Sequence, residues 1–158
     1  MSAMNTASGA LGFLVAQIPP YHLRPSGRAS VLVLACIDPR FSNDLSWYLT
    51  HSWELGGDYD LFCLAGASLG VFHSDCWKEA FTDHLELAKK LHGISEVWVF
   101  DHLDCGMYKA SLGIEVDEDN GPHLEKIKVL KDWLASTNSS LGFKGYIISL
   151  NGFVQRVV

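Results

Sequence analysis

Apolar residues follow two rhythms along this chain. VLVLAC at 31–36 is apolar without alternation, the mark of a strand covered on both faces, and YDLFC at 59–63, EVWVF at 96–100 and YIISL at 146–150 repeat it. Between these runs the spacing turns helical. SNDLSWYLTHSWEL follows the first strand, with Ser42 or Asn43 placed to cap it. SDCWKEAFTDHLELAKKLH at 74–92 sets Trp77, Phe81, Leu85, Ala88 and Leu91 about a turn apart, and Gly93 stops the pattern. PHLEKIKVLKDWLAS is a further amphipathic helix with Pro122 near its start, and DCGMYKASLG reads as the opening of another. Strands alternating with helices predict an α/β fold, a mostly parallel central sheet of about four to five strands flanked by helices.

Length adds that residues 31–158 suit one domain, since the chain has 158 residues, 48% of them hydrophobic and 19% charged. Residues 1–30, rich in Ser, Ala, Gly and Pro, read as an N-terminal arm. Lys plus Arg number 12 against 18 Asp plus Glu, a formal charge of -6 with no basic stripe, which argues against a nucleic-acid partner. ALGFLVA has no basic region before it and falls far short of the roughly 20 apolar residues that span a bilayer, so neither signal peptide nor membrane anchor is expected. The four cysteines are then expected as thiols in a reducing, cytoplasmic setting, where they serve metals or catalysis.

The chemistry concentrates at two strand ends. LACIDPR places Cys36, Asp38 and Arg40 just past the first strand, and the third strand runs directly into DHLDCG, with His102 and Cys105. Sites in open parallel sheets lie beyond the carboxyl ends of the strands, so two thiols and an imidazole can converge there. Such a set suits zinc, because three soft or borderline ligands leave the fourth tetrahedral position for water or substrate. Cys105, where a helix opens, would also have its thiolate favoured by the positive helix end. Each piece alone has an ordinary reading. A Cys at the end of a buried strand is more often an inert core residue, the reading given to Cys63 and Cys76, and Asp38 with Arg40 makes a surface ion pair. His22, His51, His73, His84, His92 and His123 are all available as proton carriers, and most read as surface imidazoles.

CIDPR resembles the C-x-D-x-R motif, and HLDCG the H-x-x-C-G motif, of the beta-class carbonic anhydrases. The likeness extends through GDYDLFCLAG, HLELAKKLHGISEVWVFDHLDCGMYKASL and FKGYIISLNGFVQRVV, from about residue 30 to the C-terminus. It implies zinc held by Cys36, His102 and Cys105, with Asp38 and Arg40 as a catalytic dyad in which Arg40 keeps the carboxylate off the metal. The implied activity is that of a lyase, hydrating carbon dioxide to bicarbonate by attack of zinc-activated hydroxide. The resemblance also implies a small-molecule substrate, a pocket near Asp60, Leu64, Ala65, Gly66, Leu87 and Gly106, and a homodimer or higher homo-oligomer. The arm would cross a partner subunit, anchored by Phe13, Leu14, Val15 and Ile18.

Several positions depart from that family's pattern. Asp60, Cys63 and Leu64 stand where Phe and then Arg-Asn are common, Asp101 replaces the usual Gly before the metal His, and Leu87 replaces a common Tyr. No clear equivalent exists of the Gln often found upstream of the first metal Cys, since that region reads SGRASV. The altered surroundings leave open a hydrolase acting on carbonyl sulfide or carbon disulfide, and a non-catalytic zinc-binding relative.

Overall fold

The computed structural model describes residues 27–113 and 119–158. The expected arm and its apolar anchors lie almost wholly outside them. Along the chain come β1 (Val31–Ala35), α1 (Pro39–His51), β2 (Tyr59–Cys63), α2 (Ala67–Val71), α3 (Asp75–Leu91), β3 (Glu96–His102), α4 (Gly106–Leu112), α5 (Gly121–Thr137), β4 (Gly142–Ile148) and β5 (Val154–Arg156). The strands form a five-stranded sheet in the order β2-β1-β3-β4-β5. Its first four strands are mutually parallel, and β5 returns antiparallel on β4. The expected α/β architecture is therefore present.

Strand alternation divides the core. Leu32, Leu34, Val97, Val99 and Ile147 face one side, where α2, α3 and α5 bury Val71, Phe81, Leu85, Ile127 and Leu130. Val31, Val33, Trp98, Phe100 and Tyr146 face the other, against Leu45 and Leu49 of α1. Trp53 helps to close this second side, its ring 5.2 Å from Trp98 and 5.0 Å from Tyr146. With both faces covered, β1 and β3 can be apolar almost throughout, which is why their runs show no alternation.

Two helices differ from their sequence expectation. α1 begins at Pro39, ahead of the expected caps Ser42 and Asn43, because Asp38 caps it by accepting from the Arg40 N–H at 3.0 Å. Proline at the first helical position completes that start. α2 leaves no signal in the sequence, since its five residues span too little chain to display a period. It follows Gly66, whose φ of 75° and close approach to Met107, where a Cβ would lie 2.8 Å from Cγ, both call for glycine. Among the described residues, no helix is long and apolar enough to cross a membrane.

Candidate metal centre

Register brings the chemistry together. Ala35 pairs with Phe100, so β1 ends beside β3 and delivers Cys36 next to the last two residues of β3, Asp101 and His102. After His102 the chain turns through Asp104, at φ 57°, and Cys105 becomes the N-cap residue of α4. The ligand-capable atoms of Cys36, His102 and Cys105 all lie within 4.8 Å of one another, a group that could hold a metal ion. The two sulfurs are 3.9 Å apart, and the Gly66 N–H donates to Cys36 Sγ at 3.3 Å.

His102 is the most informative member. Its Nδ1 lies 2.8 Å from the Leu103 carbonyl, which can only accept, so Nδ1 carries the proton and Nε2 offers its lone pair. Nε2 is buried and has no hydrogen-bond partner. A buried nitrogen left so costs free energy, and one that faces two sulfurs has the disposition of a ligand. The Phe41 ring, 4.5 Å away, packs against the imidazole.

Charge supports the same conclusion. The Cys105 thiol, donating to Cys36, draws the Cys36 thiol well below its ordinary value, with further help from His102 and the Gly66 N–H. Cys105 is pushed up in turn, first by the Cys36 thiolate and then by burial, because two adjacent thiolates repel. Burial pushes His102 down, but the Cys36 thiolate and the Leu103 carbonyl outweigh it and the net shift is upward. Cys36, Cys105 and the Nε2 lone pair of His102 would together hold a divalent cation, whose charge would relieve that repulsion, so the residues present fit a soft or borderline metal.

Asp38 and Arg40 form a bidentate pair. Arg40 Nε donates to Asp38 Oδ1 at 3.0 Å and Nη2 to Oδ2 at 2.7 Å. These bonds hold the Asp38 carboxyl below the usual carboxylate range. Oδ2 stands 3.8 Å from His102 Nε2, so the carboxylate borders the ligand group while both its oxygens are engaged by Arg40. A further partner was not anticipated: Arg40 Nη1 donates to Asp104 Oδ2 at 2.8 Å, and Lys109 Nζ reaches Asp104 Oδ1 at 2.6 Å. The pair is therefore fastened to the turn between His102 and Cys105. Its only sequence signal was a carboxylate inside HLDCG.

Cys36 and His102 also line a cavity of about 40 Å³, walled mainly by Phe41, Leu45, Leu49, Phe100 and Cys63. That is room for a molecule of a few heavy atoms. None of the six residues expected around the pocket lines it. Gly66 and Gly106 nonetheless adjoin the ligands, the first through its N–H on Cys36 and the second as the residue after Cys105. Leu64 packs into the core on the other face of the sheet, and Ala65 lies in the same connection to α2. Asp60 and Leu87 line a separate groove with His84, Leu91 and His92, and His92 Nδ1 lies 2.8 Å from Asp60. The physical reason is register: Asp60 pairs with Leu32, whereas Cys63 pairs with Ala35 at the strand ends.

Two expectations need correction. Cys63 and Cys76 are exposed rather than inert core residues, Cys63 because β2 is an edge strand. Of the histidines, most of which read as surface imidazoles, His123 is an exception and is fully buried.

Comparison with known proteins supports the architecture. No family model matches the chain. An uncharacterized protein of Rickettsia conorii is 25% identical over 142 residues, covering 86% of this chain and 76% of its own length. One of Rickettsia bellii is 24% identical over 147 residues, covering 89% of each. Among solved structures, beta-carbonic anhydrase isoform I of Trichomonas vaginalis superposes with a TM-score of 0.60 at 17% identity, over 86% of both chains. A carbonic anhydrase from Glaciozyma antarctica gives 0.59 at 20% identity, over 87% of this chain and 86% of its own. A tetrameric beta-carbonic anhydrase of Sordaria macrospora gives 0.53 at 12% identity, over 82% of this chain and 80% of its own. The fold is that of the beta-carbonic anhydrases.

Proposed function

We propose that the chain holds one zinc ion through Cys36, His102 and Cys105 and uses it to hydrate carbon dioxide reversibly to bicarbonate. The observation that carries this reading is the buried, partnerless Nε2 of His102 facing two thiols, beside a carboxylate that Arg40 restrains. Zinc, when bound, supplies Lewis acidity that brings the pKa of a water in its open position towards roughly 7. The chain's own groups do the rest. The Leu103 carbonyl fixes the His102 tautomer. Arg40 orients Asp38 as a hydrogen-bond acceptor at the edge of the ligand group. The apolar cavity beside Cys36 and His102 suits a small uncharged electrophile better than a polar one.

Residues 31–158 act in this reading as one zinc-binding domain. A homodimer or higher homo-oligomer agrees with the edge position of β2, whose Leu61 is 53% exposed and lines the same cavity as the ligands. The deciding experiment joins elemental analysis with stopped-flow hydration of carbon dioxide. One zinc per chain and hydration well above the uncatalysed rate are expected. Zinc-loaded protein that instead hydrolyses carbonyl sulfide or carbon disulfide would move the substrate, and inactivity towards all three would reduce the centre to a binding role.

A further inference from the structure

Behind the ligand group, on the opposite face of β3, lies a buried polar cluster with no part in the chemistry above. Asp101 directly precedes His102, so strand alternation turns its side chain away from the sulfurs. It is 1% exposed, yet its carboxylate is well served: Ser68 N–H donates to Oδ1 at 3.0 Å, and the hydroxyls of Ser68 and Tyr108 donate to Oδ2 at 2.6 Å each. Burial and Asp101 push the Tyr108 hydroxyl well up, which keeps it a donor. His123 closes the cluster, its ring 3.9 Å from that of Tyr108 and its Nδ1 3.5 Å from Asp101 Oδ2. Ser68, Tyr108 and His123 are each fully buried.

A buried carboxylate is costly, and replacing such a group by apolar residues of similar volume is often neutral or stabilising. Stability alone is therefore a weak reason for it. Its connections suggest a stronger one. Ser68 lies two residues after Gly66, whose N–H holds Cys36 Sγ, Tyr108 lies three residues after Cys105, and Asp101 adjoins His102. One carboxylate thus ties together the three segments that set the three ligand atoms.

We propose that Asp101 is a positioning residue of the metal centre, drawing the starts of α2 and α4 onto the end of β3 so that Cys36, His102 and Cys105 stand assembled before a metal arrives. This rests on the zinc reading above. Preassembly spares the metal the cost of ordering its ligands; groups bonded directly to a ligand are worth about 10- to 100-fold in metal affinity, and one bonded to the neighbouring segments, as Asp101 is, falls at or below the lower end of that range.

The test measures zinc dissociation constants by chelator competition, with cobalt(II) absorption as a second readout of ligand geometry. Asp101→Asn and Tyr108→Phe should each bind zinc more weakly, by up to about 10-fold, with an altered cobalt spectrum. Ile127→Val, a core shortening away from the ligands, should lower Tm and leave both readouts unchanged. Should Asp101→Asn fail to fold, Tyr108→Phe decides the question alone. Wild-type zinc affinity in the folded variants, or a loss no greater than that of Ile127→Val, would overturn the proposal. Cys36→Ser and His102→Ala enter the same assay: if they keep full zinc affinity the zinc reading itself fails, whereas if they lose zinc and the Asp101 and Tyr108 variants do not, only the positioning role fails.

Discussion

Asp38 serves two masters. It caps α1 by accepting from the Arg40 N–H, and it borders the ligand group with its oxygens tied to the Arg40 guanidinium. Asp38→Ala should therefore cost about 1 kcal/mol of stability as a lost cap, seen by denaturant unfolding, and should also lower carbon dioxide hydration in a manner that added buffer partly restores. Arg40→Ala separates these effects. It leaves the cap acceptor in place but frees the carboxylate, 3.8 Å from His102 Nε2, to approach the ligand atoms. Hydration should fall about 10- to 100-fold while elemental analysis still finds zinc. Unchanged activity in Arg40→Ala would make the dyad a surface ion pair. Cys36→Ser and His102→Ala, in contrast, should lose the metal outright.

At the scale of elements, what the sequence discloses depends on how local the cause is. β1 and β3 were legible because covering both faces makes β1 and the VWVF stretch of β3 continuously apolar, and α3 because Trp77, Phe81, Leu85 and Ala88 repeat over its 17 residues. α1 starts ahead of Ser42 because one side chain of CIDPR, Asp38, both caps the helix and carries the chemistry, with Pro39 at the first helical position. Cys36, His102 and Cys105 were legible through their types and strand-end positions, and through a family resemblance. The Asp101 cluster was not, since Ser68 lies 33 residues away and only the fold brings it near. Asp60 and Cys63 show the same dependence on the fold: they share a strand but sit at different levels of it, and Cys63 is the one that lines the cavity beside Cys36 and His102. Glu96, at the start of β3, offers a test at this scale. The Lys144 ammonium of β4 and the Trp98 indole hold its carboxyl below the ordinary value, so its contribution is complete above about pH 4.3 and is lost as pH falls through the lowered value. Glu96→Gln should accordingly flatten the fall in stability below that pH, measured by urea unfolding across a pH series. An unchanged pH slope would mean that the β3–β4 pair contributes nothing.

For the whole molecule, the parallel pairing of β1 with β3 decides when a metal can matter. Cys36 and Cys105 are 69 residues apart, with α1, β2, α2, α3 and β3 between them, so no local loop can present both sulfurs. A zinc finger gathers its ligands within a short hairpin and helix, and without metal it is unfolded. Here the three side chains meet only where β1 pairs with β3, a non-local contact that also buries Val33, Val97 and Val99. Metal-stripped protein should therefore keep its far-UV circular dichroism and still melt cooperatively, at a lower Tm that rises with added zinc as RT ln(1 + [Zn]/Kd). Loss of secondary structure on chelation would contradict this. On the zinc reading proposed above, that geometry would make the metal a late arrival: a folded chain would already hold its two thiols side by side at the strand ends, and zinc scarcity would leave a pool of folded but idle molecules rather than a pool of unfolded ones.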